Sequence, residues 1–191
     1  MITIQNLSFR YAKRRRWIIK DLNLTVNAGD RLWLTGPSGC GKSTLLRLLM
    51  GLEKPQNGTV TGMEPGAISV VFQEDRLIPG LTALQNVALF SDEATAAELL
   101  DRLGLSEAAD LMPSELSGGM KRRVAIARAL AGPFTLLLLD EPMNGLDETT
   151  AGQTAQVISS VLGDRTLILV THNAAEAAAL QAIPVELPLI K

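Results

Sequence analysis

The sequence predicts an α/β fold built on a mostly parallel sheet, and three observations carry that expectation. Two apolar runs, Thr135–Leu139 and Thr166–Val170, each end in polar residues, and a helical stretch from Glu148 to Leu162 separates them. A further apolar strand, Arg31–Thr35, runs straight into a glycine-rich stretch, Gly36–Thr44, that opens an apolar helix. Of the 191 residues 47% are hydrophobic, enough for one packed core with room for a small inserted lobe. Apolar strands alternating with helices are the pattern of strands covered on both faces.

From the N-terminus, Ile2 and Ile4 alternate with polar partners, so Ile2–Phe9 reads as a first strand. Leu22–Val26 alternates strictly and reads as its companion in an N-terminal antiparallel β subdomain. Asn27-Ala28-Gly29-Asp30 is a turn into Arg31–Thr35, and the helix that follows the glycine-rich stretch ends near Gly51. Ala67–Phe72 reads as another buried strand. From Glu74 to about Ala131 the pattern turns helical, with Asp92 as an N-cap and Gly104 as a stop. Ser117, Gly118 and Gly119 then open a run that reads as a basic-faced helix, closed by Gly132-Pro133. The expectation is a single domain: a core of residues 1–73 and 132–191, with residues 74–131 as an inserted helical lobe.

Composition excludes several classes. A net charge of −2 gives no global reason to expect a nucleic-acid partner. The basic run Lys13–Trp17 reads as a solvated hairpin loop, or as a help in ordering one side of a ligand pocket. The single cysteine, Cys40, can form no internal disulfide, which suits a reducing compartment. The start, MITIQNLSFRY, lacks the basic and apolar blocks of a secretory signal, and no apolar run approaches the roughly 20 residues of a bilayer span. A soluble chain is expected, with any membrane role exerted through a partner.

The chemistry begins at Gly36-x4-Gly41-Lys42-Ser43, a full match to the phosphate-loop pattern between a strand and a helix. Glycines let successive backbone N–H groups point inward, and the helix start adds positive potential. Gly36, Pro37, Ser38, Gly39, Cys40, Gly41 and Thr44 are therefore expected to wrap a nucleotide's phosphates. Lys42 would reach the β- and γ-phosphates, and the Ser43 hydroxyl would ligate Mg²⁺. Cys40 reads as a small neutral filler in preference to a redox thiol. Asp140 and Glu141 fall at the carboxyl end of an apolar strand, where such sheets place ligands. Asp140 suits the outer shell of Mg²⁺; Glu141 suits orienting or deprotonating a water aimed at the γ-phosphate. His172, the one histidine, ends the next strand at the same edge and is expected as a donor near the γ-phosphate. Gln73 ends its own strand in the same way, and its amide would help hold Mg²⁺ or the attacking water. The architecture expected around these groups is a P-loop NTPase core. A phosphotransferase is the alternative reading, against which stands Glu141 beside the metal ligand.

Together these residues resemble the ATP-binding subunit of ATP-binding cassette (ABC) transporters, over essentially the whole chain. The parts occur in the family's order: Gly36–Thr44 as phosphate loop, Gln73 as Q-loop and Leu116–Met120 as signature. Leu136–Glu141 follows as the acidic strand end, Asn144–Asp147 as D-loop and His172 as switch histidine. LSGG placed shortly before LLLLDEP is the discriminating feature. The resemblance implies ATP and Mg²⁺ as cofactors and two cassettes, alike or different, paired head to tail around ATP. Ser117, Gly118 and Gly119 would then contact the γ-phosphate held by the partner's Lys42, with Asp147 of the D-loop completing that set. Tyr11 matches the aromatic that stacks on adenine, with Trp17 as the alternative. Also implied are ATP hydrolysis coupled to transport, transmembrane permease subunits, a substrate-binding protein for an importer, and a peripheral position on the cytoplasmic face of the inner membrane. An ATPase acting on non-transport partners is the alternative within the family.

Gln73–Leu89 resembles the region after the Q-loop in importers of nitrate, sulfonates and taurine. Within it Arg76, Leu77, Ile78 and Pro79 suit contact with a membrane partner. Two positions depart from the family's pattern. The D-loop reads Asn144-Gly145-Leu146-Asp147, which keeps the aspartate on a looser backbone, and Arg122 stands where the family often has glutamine. Neither departure is expected to touch phosphate, metal or water chemistry. The sequence ends at Lys191, soon after His172, so the C-terminal regulatory domain of some importers is not expected.

Overall fold

The computed structural model describes residues 1–12, 16–64, 66–188 and 190; Lys13–Arg15 of the basic run lie outside them. In chain order the elements are β1 (Ile2–Phe9), β2 (Ile19–Val26), β3 (Arg31–Thr35), α1 (Lys42–Leu49), β4 (Asn57–Thr61) and β5 (Ile68–Val71). There follow α2 (Ala83–Ala88), α3 (Glu93–Arg102), α4 (Gly118–Ala131), β6 (Leu136–Asp140), α5 (Glu148–Leu162), β7 (Thr166–Val170), α6 (Ala174–Ala179) and β8 (Ile183–Glu186). One sheet is parallel throughout, in the order β5-β6-β7-β3-β8; the other is antiparallel, in the order β2-β1-β4.

The apolar runs are continuous because the parallel sheet is covered on both sides. Leu136, Leu138, Ile168, Val170, Leu32 and Leu34 face a core shared with α1 and the antiparallel sheet. Leu137, Leu139, Leu167 and Leu169 face the opposite core, built with α2 to α5. Alternate residues of one strand thus serve two cores, which leaves the strand's carboxyl end as the place where polar groups emerge.

The structure differs from expectation in three respects. The helix that was to present a basic face buries half of its residues: Arg122, Val124 to Ala127, Ala129 and Leu130 are all covered. Its arginines turn toward protein carbonyls in place of solvent, Arg123 to Leu103 and Arg128 to Asp75 and Arg76. The segment Glu74–Thr82 is not helical; α2 begins only at Ala83, after Pro79-Gly80, with a capping box between Thr82 and Gln85. Finally β4, α6 and β8, short and weakly apolar, join elements that the sequence pattern makes plain.

The non-helical segment has an internal template. Asn86 is fully buried; its Oδ1 accepts from the Ile78 amide at 2.8 Å, and its Nδ2 donates to the carbonyls of Ile78, Leu81 and Thr82 at 3.0–3.2 Å. Asn86→Ala strands these groups in a dry site and is expected to lower stability by about 2–4 kcal/mol, from the cost of unpaired buried polar groups. Urea unfolding of the variant against wild type checks it.

Candidate functional site

Phosphate chemistry needs backbone N–H groups that nothing else occupies, and the helix starts single out one place. The first residues of α2, α3, α4, α5 and α6 are capped by side chains of Thr82, Asp92, Ser117, Asp147 and Asn173. At α1 the N-cap is Gly41, with no side-chain cap, so the orphan amides of its first turn stay open. The loop before it needs its glycines. Gly36 has φ +137°, and a Cβ there would lie 2.7 Å from the Leu187 carbonyl oxygen; Gly41 has φ +106°, with a Cβ 3.0 Å from Ile18 Cγ2. Lys42 is buried at the loop's centre and donates through Nζ to the carbonyls of Gly36 at 2.7 Å and Pro37 at 3.3 Å. Cys40 is buried beneath the loop, its Sγ 3.9 Å from Lys42 Nζ, as a filler would be.

Around this loop opens a cleft of about 760 Å³. Among the expected residues Tyr11, Ser38, Gly39, Gly41, Lys42, Ser43, Thr44, Gln73, Asp140, Glu141 and His172 line it. Gly36, Pro37 and Cys40 belong to the loop but do not line the cleft. Of the two candidate aromatics Tyr11 lines it, its ring edge-on to Phe9 with centroids 4.9 Å apart and its hydroxyl 3.4 Å from Thr44 Oγ1. Trp17 does not line it and lies instead under the Arg10 guanidinium at 5.0 Å. Ser117, Gly118, Gly119 and Asp147 are also away from the cleft. The Ser117 hydroxyl accepts from the Met120 amide, and Asp147 caps α5 through Thr150, which holds the Asp147 carboxyl below its usual range.

The acidic end of β6 is held unusually. Glu141 has φ +51°, a left-handed conformation that costs a non-glycine residue roughly 1–3 kcal/mol and persists only where its surroundings enforce it. Its amide donates to the Val170 carbonyl at 2.8 Å, and its Oε1 lies 3.6 Å from His172 Nε2. Burial pushes the Asp140 carboxyl up, opposed by a hydrogen bond from the Ser43 side chain and by the charges of Arg122 and Lys42.

Sequence reasoning missed Glu176. It lines the cleft from α6, four positions after His172, and Thr171 Oγ1 donates to its Oε2 at 2.7 Å. Thr171 Oγ1 also accepts from the Asn173 amide at 3.0 Å, and its carbonyl accepts from Trp33 Nε1 at 3.0 Å. Three anchors therefore fix the turn that carries His172. Burial raises the Glu176 carboxyl above its usual range, the Thr171 bond opposes this, and the nearby Glu141 charge adds to it. The spacing His-x3-Glu at the start of a helix was the available signal. Arg122, a departure not expected to touch phosphate, metal or water chemistry, does not line the cleft, but its guanidinium bonds the backbone carbonyls of both Gln73 and Glu141, a link the sequence pattern does not show.

The ABC transporter family's sequence pattern matches residues 19–144, from β2 through the phosphate loop, Gln73, the LSGG run and Glu141. The chain belongs to the ABC transporter family. As an ATP-binding subunit of that family it binds and hydrolyses ATP. It is 45% identical to the aliphatic sulfonates import ATP-binding protein 1 of Pseudomonas savastanoi pv. phaseolicola over 168 residues, 84% of this chain and 70% of that protein. It is 43% identical to the corresponding protein 1 of Rhodococcus jostii, covering 94% of this chain and 76% of the other. Among solved structures, a dimeric ATP-binding cassette bound to ADP and Pi in a post-hydrolysis state superposes with a TM-score of 0.85 at 30% identity, covering 98% of this chain and 96% of that one. A bacterial Atm1-family ABC exporter with ATP bound gives 0.87 at 28% identity, over 98% of this chain and 37% of the exporter's. The match to an exporter's cassette, beside sequence relatives named as import subunits, means that the fold alone does not give the direction of transport.

Proposed function

We propose that this ABC subunit powers uptake of an organic anion of the sulfonate class, through a permease that it meets from the cytoplasmic side. The observation that carries the substrate class is the 45% identity to an aliphatic sulfonate import subunit. No helix among the described residues is long and apolar enough to cross a membrane, so an importer of this kind needs a partner that does.

In the proposed reaction the open amides of α1 and the Lys42 ammonium bind the β- and γ-phosphates. Tyr11 stacks on the adenine. The Ser43 hydroxyl, the Asp140 carboxylate and the Gln73 amide oxygen, which line one cleft, are an all-oxygen donor set that fits Mg²⁺. When bound, Mg²⁺ supplies neutralisation of the phosphate charge and relieves the cost of keeping Asp140 ionised in a partly dry site. Glu141 accepts the proton of the attacking water, and His172 donates to the γ-phosphate. Ser117, Gly118 and Gly119 cover the nucleotide of a second copy; that solved cassettes of similar structure are dimeric supports the pairing of copies. Asp147 stands next to that interface.

The partner's seat is a groove of about 620 Å³ lined by Phe72, Arg76, Ile78, Leu89, Phe90 and Arg128. Ile78, Leu89 and Phe90 are large apolar side chains left 44%, 45% and 62% exposed, a cost that a covering partner removes. Arg76, three residues after Gln73, stacks on Phe72 at 3.9 Å along the same wall, which ties the groove to the strand end that carries Gln73. A cytoplasmic helix of the permease is the proposed occupant. Two measurements test this. Deleting the gene should abolish growth on an alkanesulfonate as sole sulfur source while sparing growth on sulfate; unchanged growth on both refutes the substrate class. Phe90→Asp with Ile78→Asp should abolish co-purification with the permease in detergent while ATP binding by the isolated chain persists. Full retention of the permease by that variant refutes the groove.

A further inference from the structure

Arg122 lies one turn into α4 and its side chain is only 3% exposed. Guanidinium carries five N–H donors in a fixed planar fork, and a buried one must find partners for them. Here Nε donates to the Pro142 carbonyl at 2.7 Å, and Nη2 to the carbonyls of Asp140 at 2.9 Å and Glu141 at 2.5 Å. Nη1 donates to the carbonyls of Phe72 at 2.5 Å and Gln73 at 3.3 Å, and to Asp75 Oδ1 at 3.2 Å.

The location matters more than the number of bonds. β5 and β6 pair in register from Ile68 with Leu136 to Val71 with Leu139. Beyond that register stand Phe72–Gln73 and Asp140–Glu141, the two backbone ends that carry cleft-lining side chains. Arg122 spans both ends. It also grips Glu141 at the residue whose φ is +51°: the amide is taken by the Val170 carbonyl, and the carbonyl by Arg122. Arg128, farther along α4, holds the carbonyls of Asp75 and Arg76 at 2.8 Å each, so the same helix also bonds the segment just after Gln73. Its first residues, in turn, carry the LSGG run.

We propose that Arg122 is a positioning residue for ATP hydrolysis: it locks the backbones of Gln73 and Glu141 into one frame with the signature helix, aiming the Glu141 carboxylate into the cleft. The inference rests on the reading of Glu141 as the group that handles the attacking water. It assigns the lock to planar geometry and not to charge. A planar amide at this position reaches some of the carbonyls, whereas an ammonium keeps the charge beside Asp75 but loses the fork.

The test uses the full chain carrying Arg122→Gln, Arg122→Lys or Arg122→Met, with thermal unfolding, ATP affinity and steady-state kcat and KM measured for each. Met is expected to lower kcat by about thirty- to a hundredfold, the scale on which small misplacements of reacting groups act, with ATP affinity within about twofold of wild type. Gln should keep more kcat than Lys, although Lys conserves the charge. Adding Arg122→Met to Glu141→Gln should give little further loss, because both act on one step. Folded variants whose kcat stays within about threefold of wild type, a Lys variant that equals or exceeds Gln, or a double variant whose losses multiply would each overturn the inference. If Met fails to fold, the Gln and Lys comparison decides. Wild-type-like hydrolysis by Glu141→Gln alone would instead refute the reading of Glu141, so the two failures are distinguishable.

Discussion

Replacing Glu141 by glutamine is expected to slow ATP hydrolysis by about a thousandfold while leaving ATP bound, the magnitude that removal of a positioned general base commands. The substitution keeps the shape of the side chain and removes only its ability to accept a proton. The groups proposed to bind phosphate, Lys42 and the uncapped amides of α1, belong to another element and are untouched. Among the described residues Glu141 is also the one non-glycine cleft residue held at positive φ, and its carboxylate faces His172 across 3.6 Å. Phosphate release and ATP affinity, measured on one preparation, check the prediction. The same variant should accumulate as an ATP-bound dimer, because closure proceeds and hydrolysis, which reopens it, does not. Light scattering with saturating ATP and Mg²⁺ reads this as a doubling of mass. A variant that stays monomeric would count against a working unit of two copies.

The sequence made the cleft legible because its chemistry sits where apolar patterns stop. Arg31–Thr35, Leu136–Asp140 and Thr166–Val170 are strands with clean ends, and Lys42, Glu141 and His172 follow them within a few residues. What it concealed is stabilised from outside the segment concerned. The strand Asn57–Thr61 is polar and exists by pairing with Ile2–Phe9. Ile183–Glu186 contains a proline and is an edge strand against Arg31–Thr35. Glu74–Thr82 reads as helix in isolation but is held open by Asn86 and by the arginines of Gly118–Ala131. Those arginines were the hardest residues to read. A run of Lys121, Arg122 and Arg123 resembles a solvated face, and no local pattern tells that Arg122 points inward to carbonyls some 50 and 20 residues away.

Ser117→Arg is expected to abolish turnover without emptying the nucleotide cleft of its own chain. Ser117 is exposed and lies off that cleft, and a Cβ placed on the neighbouring Gly118 would meet nothing within 4 Å, so this surface is open in the single chain. The arginine removes the hydroxyl that caps the signature helix, at about 0.5–2 kcal/mol, which a folded domain tolerates. In the proposed closed dimer the same arginine would meet the other copy's γ-phosphate, where a small hydroxyl and backbone amides are needed. Lys42→Ala fails for the complementary reason, having lost the ammonium inside its own loop. Neither variant should hydrolyse ATP alone. Mixed in equal amounts they should recover up to about a quarter of wild-type turnover, since half of randomly paired dimers then carry one whole site. That site joins the Lys42 of one chain to the Ser117 of the other. If the signature served its own chain's nucleotide, each copy would stay broken and the mixture would stay silent, so recovery on mixing requires an active site divided between two chains.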